Sequence, residues 1–281
     1  DEFEKLIPVF IKDSIYLNPE NRFSKEKAAL GRYLFYDRRL SVNNTKACAS
    51  CHAQEFSFTD SYNRSIGASG DLHQRNAKPL INIVFEKYLT AADSSIHFPE
   101  NQINKPMFNN HPIEMGGKGN EQKILDRIRN DDYYKQQFKK AFPQEKEPVS
   151  IKNIQYSITS FVKTIFSFNS PYDNFFYKKN NGAMNERQWH ATKLFFSPDP
   201  NCSSSHGGIN FSKPAIKNTA GVSDFYFNTG LYNIDNQGGY PPYDRGLADI
   251  TKNPADMGKY KVPVLRNLAF TAPYFHDGSA E

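Results

Sequence analysis

The chain has 281 residues, 38% of them hydrophobic, with 23 phenylalanines and 16 tyrosines, which excludes a fully disordered chain and leaves room for about two domains with cores of their own. A mean hydropathy of −0.69, with no apolar run near ~18 residues, excludes a transmembrane helix. Lys and Arg exceed Asp and Glu by 35 to 30, a formal charge of +5; the charges are scattered, which argues against nucleic acid and suits an acidic partner.

In chain order, residues 1–23 read as an extended arm, because Pro8 and Pro19 break any long helix. Ser24 caps a helix running to Tyr36, with Ala28, Leu30, Leu34 and Phe35 as its apolar surface. A Ser- and Asn-rich loop over 41–45 leads into Cys48-Ala49-Ser50-Cys51-His52. From 56 to 119 the chain is mostly irregular, punctuated by Gly67, Gly70, Pro79, Pro99, Pro106, Pro112, Gly116 and Gly117. Loops of that length inside a compact domain are usually functional.

Helical periodicity then returns. Ile124, Leu125 and Ile128 mark one helix, and Tyr134 with Phe138 another. Ser150 caps a third, in which Ile151, Ile154, Ile158, Phe161, Val162 and Ile165 form a core stripe. Residues 169–182, with Pro171 and a polar run, read as a linker. Asn185 caps a last helix ending in Leu194-Phe195-Phe196, and a polar loop leads to Cys202-Ser203-Ser204-Ser205-His206 and Phe211. The order helix, loop, Cys-x-x-[Cys/Ser]-His, Phe thus occurs twice. This weak internal repeat supports two similar domains, 1–168 and 169–281. No useful strand alternation occurs, so the expected fold class is mainly α with long ordered loops.

Three cysteines are an odd number and too few for a disulfide framework. Cys48, Cys51 and His52 form the C-x-x-C-H attachment signature of a c-type haem. Two thiols three residues apart on one turn reach the two vinyl groups of a porphyrin, and the next residue offers its imidazole to the iron. A haem held in this way serves as the core of its domain. Zinc competes for the same ligand types, although Cys48, Cys51 and His52 would need a fourth ligand; a redox dithiol is a further alternative. In the second motif Ser205 stands where the first has Cys51, so Cys202 could make one thioether beside His206. The alternative there is a degenerate site without haem.

Beyond these motifs, the chain resembles the bacterial di-haem cytochrome c peroxidases and their MauG-like relatives. Matching stretches are Leu30-Gly31-Arg32-Tyr33-Leu34-Phe35-Tyr36-Asp37, Arg75-Asn76 before Leu80-Ile81-Asn82, and Pro112-Ile113-Glu114-Met115-Gly116. Lys261-Val262-Pro263-Val264-Leu265-Arg266-Asn267 and Thr271-Ala272-Pro273-Tyr274-Phe275-His276-Asp277-Gly278 follow in order. The resemblance implies two cytochrome-c-like domains with a haem c in each and a calcium ion between them. It implies hydrogen peroxide as substrate of the first haem, and electrons delivered to the second by a small donor protein, a cytochrome c or a cupredoxin. His52 and His206 match the proximal iron ligands. Glu114 falls on the distal acid–base glutamate, with Gln102 and Pro106 lining the same pocket, and His276 on a cofactor-binding histidine. Asn76 and the carbonyls of Thr271 and Pro273 match the calcium positions. A periplasmic or otherwise extracytoplasmic location follows from where haem c is attached, and a homodimer is a further family trait. No signal peptide is visible, and a mature start at Asp1 looks the same as a cytoplasmic one.

Three departures stand out. The family's tryptophan between the haems has no counterpart in Leu89-Thr90-Ala91-Ala92-Asp93, and the lone Trp189 is expected to pack in the second domain. Ala68 occupies the position of the histidine that closes the first haem in resting peroxidases. His73 could substitute for it, its bland reading being a surface loop histidine, as for His97 and His111. The distal ligand of the second haem would fall at position 290, past Glu281, with Met257 a conceivable stand-in. The rivals to a peroxidase are MauG-like oxidation of a protein or organic substrate, and a non-catalytic electron carrier or haem sensor.

Overall fold

The computed structural model describes residues 2–11, 15–213 and 221–281. Among these residues nine α-helices and several single 3-10 turns are joined by long loops. The one sheet pairs β1 (Tyr226–Phe227) with β2 (Tyr260–Lys261) antiparallel, Tyr226 opposite Lys261. The regular structure is thus mainly helical, as the periodicity implies.

Helix α1 (Lys25–Tyr36) begins where Ser24 Oγ accepts the Lys27 N–H at 3.2 Å, and it buries Leu30, Leu34 and Phe35. After two short helices, α2 (Pro99–Gln102) and α3 (Asn104–Phe108), come α4 (Glu121–Arg129), α5 (Asp132–Ala141) and α6 (Ile151–Val162). Ile124, Ile128, Tyr134, Phe138, Ile154 and Ile158 close one hydrophobic cluster over the buried face of α1. Helices α1 and α6 meet backbone to backbone at Gly31, where an added Cβ would lie 1.8 Å from the Ser157 carbonyl oxygen. Gly31→Ala is therefore expected to destabilise the protein by ~1–3 kcal/mol, although alanine is the better helix former. Urea unfolding checks this, and a neutral or stabilised variant would show that the helix contact yields easily.

The N-terminal arm differs from its sequence expectation. Phe3 is fully buried, packing at 5.2 Å on Phe23 and 6.2 Å on Phe166, and Phe10 stacks on Tyr177. Residues 4–6 form a 3-10 turn. Aromatic burial, which the proline pattern does not reveal, offsets the entropy of ordering this segment. Asn21 is buried too, and its Nδ2 donates to Glu100 Oε1 at 2.7 Å and to the Tyr156 carbonyl at 3.0 Å.

Residues 169–182 are not a bare linker. They contain α7 (Pro171–Phe176), opened by a reciprocal cap between Ser170 and Asp173. The Asp173 carboxylate is wholly buried and takes a two-pronged hydrogen bond from Arg266 at 2.8 and 2.9 Å. A partner 93 positions away stabilises a helix that local composition disfavours. Helix α8 (Glu186–Phe195) follows from its Asn185 cap, and Trp189 packs on Phe175 and Phe176 of α7. A short α9 (Ala248–Thr251) completes the set.

Candidate active site

The first Cys–His segment is a single 3-10 turn, Cys48–Ser50, entered through the Ala47 N–H donating to Ser50 Oγ at 3.0 Å. The His52 N–H closes the turn on the Cys48 carbonyl at 3.0 Å. A tight reversal at Ser57 and Phe58, both left-handed, then brings the Phe58 carbonyl 2.8 Å from His52 Nδ1. A carbonyl accepts, so that bond puts the proton on Nδ1 and leaves Nε2 with a lone pair able to ligate. The second segment repeats this local geometry. The turn Cys202–Ser204 is closed by the His206 N–H on the Cys202 carbonyl at 2.9 Å, and His206 Nδ1 meets the Phe211 carbonyl at 2.9 Å. Isolated bridges, Ala53 to Thr59 and Gly207 to Lys213, recur as well. The sequence repeat aligns Phe56 with Phe211, but in the structure the counterpart of Phe211 is Phe58, and the repeat is one of backbone and imidazole hydrogen bonds.

A cavity of about 420 Å³ opens beside the first turn. Cys48, Cys51 and His52 line one part of it, and Phe35, Ile81, Ile103, Met107 and Val162 give it apolar walls. Burial pushes the Cys48 thiol up to about 12, with Cys51 adding to the effect, and burial raises Cys51 as well. Neither sulfur is the low-pKa thiolate of a redox dithiol. Burial lowers the His52 pKa, opposed by the Phe58 carbonyl, Asp60 and the Lys78 carbonyl, so the imidazole is neutral and able to ligate. Among the described residues no group of three or more His, Cys, Asp or Glu is placed to hold a metal ion, so a fourth ligand beside Cys48, Cys51 and His52 is not at hand. Two thiols, one neutral imidazole and an apolar enclosure fit a haem c.

Glu114, Gln102 and Pro106 line this same cavity. The Glu114 backbone is pinned on several sides. Its carbonyl accepts the Ala68 N–H at 2.7 Å, while Met115 bonds to the Pro106 carbonyl at 3.0 Å and to Val42 at 2.9 Å. Burial raises the Glu114 carboxyl to about 7, partly offset by Lys105. Gln102 ends α2, which Glu100 ties to α6 through a buried ion pair with Lys163 and a 3.0 Å hydrogen bond from Thr159 Oγ1. The Gln102 Oε1 atom is buried in the cavity with no hydrogen-bond partner.

Other residues lie elsewhere or in surroundings the sequence did not suggest. Cys202 and His206 form their own turn outside this cavity. The ring of His276 stacks on Tyr260 with centroids 3.6 Å apart, and borders a polar cleft with Arg64, Asp244 and Asp277. Its carbonyl accepts the Asn76 N–H at 2.8 Å, so the loop that also holds Thr271 and Pro273 runs beside Asn76. The Asn76 Nδ2 donates to the carbonyls of Tyr62 and Asn63 at 3.0 and 3.4 Å. Met257 packs among Ala92, Tyr240 and Tyr260. His97 is half-buried, its Nδ1 within 2.9 Å of the Lys87 carbonyl, whereas His111 stays exposed at the cavity rim. His73 is no surface histidine: its side chain is only 16% exposed and faces the cavity.

Sequence reasoning missed a charged wall. Lys78 lines the cavity, and burial pushes its pKa far down, with Lys261 and Arg75 adding to the shift. Lys261 forms a buried ion pair with Glu86. Glu86 Oε1 also accepts from Asn210 Nδ2 at 2.7 Å and from Ser212 Oγ at 2.6 Å. Glu86 therefore joins the first cavity to the loop that holds His206. The Lys261 motif was visible in the sequence, but its partner lies 175 positions away and follows no spacing rule.

A family model of the di-haem cytochrome c peroxidases matches residues 25–181. The cytochrome c peroxidase Ccp of Escherichia coli (strain K12) is 33% identical over 255 residues, covering 90% of this chain and 50% of its own length. The cytochrome c551 peroxidase of Pseudomonas aeruginosa is 30% identical over 255 residues, covering 91% and 68%. The chain thus spans half the length of the first relative and about two thirds of the second. A solved structure of a MauG-like protein associated with microbial copper homeostasis matches with a TM-score of 0.91 at 38% identity, over 98% of this chain and 78% of that one.

Proposed function

This chain belongs to the di-haem cytochrome c peroxidase family, and from that membership we propose that it reduces hydrogen peroxide to water with electrons from a small redox protein. The observation that carries the reading is the meeting of Glu114 with Cys48, Cys51 and His52 in one apolar cavity. A haem held by those three residues supplies the Lewis-acid and redox chemistry of O–O cleavage. The chain's own part is proton handling. The Glu114 carboxylate accepts a proton from one peroxide oxygen and returns it to the other, so that water is the leaving group. Gln102 offers its amide to hold the substrate, and Pro106 with the apolar walls limits the entry of bulk water.

The second haem, in this reading, is held by His206 and one thioether through Cys202, in a domain of residues 169–281 beside one of 1–168. Calcium takes oxygen ligands from Asn76, Thr271 and Pro273, a donor set suited to a hard cation. The donor is a cytochrome c or a cupredoxin, the location is extracytoplasmic, and the protein pairs as a homodimer. No helix among the described residues is long and apolar enough to cross a membrane.

A second reading, MauG-like oxidation of a protein or organic substrate, is favoured by Ala68, which leaves the first site without the family's closing histidine, and by the 38% identity to the MauG-like protein. Steady-state turnover separates the two. A peroxidase consumes a reduced small cytochrome with peroxide, and its rate rises with pH through about 7, because Glu114 takes the proton only when ionised. Peroxide consumption that ignores the cytochrome and requires another substrate supports the MauG-like reading instead. A protein inert to peroxide would be a carrier or sensor.

A further inference from the structure

We propose that His73 is a second catalytic group of the peroxide pocket, binding the substrate oxygen jointly with Glu114. The inference rests on the peroxidase reading above and adds a residue to its machinery. It starts from Ala68, where the sequence lacks the family's histidine. Residues 65–73 form a small hairpin in which the His73 N–H donates to the Ser65 carbonyl at 2.9 Å, Ile66 bridges to Leu72, and the Gly67 N–H meets the Asp71 carbonyl at 2.9 Å. The hairpin lies directly on the segment that carries Glu114. A Cβ at Gly67 would sit 2.0 Å from the Ile113 carbonyl oxygen, so only glycine permits this contact. Ala68 contributes its backbone, donating to the Glu114 carbonyl, while Asn43 Nδ2 holds the Ala68 carbonyl at 2.7 Å. The returning limb of the hairpin then delivers an imidazole five residues later than expected.

That imidazole is placed for chemistry. His73 Nε2 lies 3.9 Å from Glu114 Oε2, and it is buried without a hydrogen-bond partner. Buried nitrogens are normally satisfied, and an orphan facing a cavity points to a ligand. A separation of 3.9 Å is too long for a direct hydrogen bond, yet one oxygen atom can lie within hydrogen-bond reach of both groups. Hydrogen peroxide supplies such an atom. The titratable and charged groups facing this pair are Asp60, Lys46 and the neutral His52 on the histidine side and Lys105 on the glutamate side. With peroxide between them, Glu114 Oε2 accepts the proton of one oxygen, while His73 Nε2 hydrogen-bonds the substrate and helps return a proton to the leaving oxygen. The overall balance is one peroxide, two protons from solvent and two electrons from the reduced donor protein, giving two waters.

The test compares haem-loaded wild type with His73→Gln, His73→Ala and Glu114→Gln. Spin state is read by electron paramagnetic resonance, fluoride affinity by optical titration and peroxide cleavage by stopped flow. Fluoride is the probe because its binding to ferric haem responds to distal hydrogen-bond donors. The expected result is a first haem whose resting spin state is the same with and without His73, with fluoride affinity and cleavage rate both about tenfold lower in His73→Ala. Partial recovery is expected in His73→Gln, whose amide still donates. A low-spin signal in wild type that vanishes in His73→Ala overturns the proposal, because His73 would then be an iron ligand. Unchanged fluoride affinity and cleavage in both His73 variants overturns it as well. If Glu114→Gln still lowers cleavage by about 10²-fold in that case, the acid–base role of Glu114 stands and only that of His73 falls.

Discussion

On the proposed function, Glu114→Gln is expected to lower the rate of peroxide cleavage by about 10²-fold or more, the usual contribution of a positioned acid–base group, with haem content unchanged. Glutamine has nearly the same shape and can still donate and accept hydrogen bonds, but it cannot take up a proton. The Glu114 backbone is held by Ala68, and its neighbours by Pro106 and Val42, with no contribution from the carboxylate. The substitution therefore leaves the pocket standing. Burial raises the carboxyl to about 7, which would suit the proton transfer proposed for it. Stopped-flow mixing of the haem-loaded variant with peroxide checks the prediction. An unchanged rate would remove Glu114 from the mechanism, and with it the observation on which the proposed function rests.

The second large effect concerns stability. Arg266→Ala is expected to cost ~3–5 kcal/mol, because removing one partner of a buried ion pair strands the other charge. Asp173 is wholly buried, and Arg266 is nearly so. The guanidinium also donates to the Ile209 carbonyl at 2.6 Å and the Ser167 carbonyl at 3.0 Å, and it lies over the rings of Phe168 and Phe211. It thus ties α7 to the loop in which the Phe211 carbonyl holds His206. Burial opposes ionisation of Asp173, yet the Arg266 hydrogen bonds and charge keep its pKa below the ordinary value. A carboxylate with a depressed folded-state pKa contributes stability that is present at neutral pH. That contribution is lost on acidification from the unfolded-state value downward. Urea unfolding at neutral pH and at about pH 3 should show the wild-type advantage shrinking in acid. The double variant Asp173→Leu with Arg266→Met should recover much of the loss. A single variant as stable as wild type would mean that the buried charge finds water.

Some of this protein can be read one residue at a time. Ser24, Ser150 and Asn185 start α1, α6 and α8 because a side-chain oxygen three residues upstream of an unpaired N–H satisfies it wherever the helix later packs. The two Cys–His turns are legible for the same reason, since spacing alone lets thiols and imidazole address one group. Glu114 was legible only through its Pro-Ile-Glu-Met setting, as nothing in a lone carboxylate marks it as buried.

What the sequence alone determined is therefore local: helix starts, the core stripe of α6, and the paired cysteine and histidine motifs, all set by interactions within a few residues. The tertiary structure alone decided that the N-terminal arm is buried, that α7 replaces a linker, that Glu86 joins Lys261 to the His206 loop, and that His73 faces Glu114. Each of these depends on groups separated by tens to hundreds of positions. Burial and charge pairing at that range follow from where the packed chain brings residues together, and no local spacing encodes it.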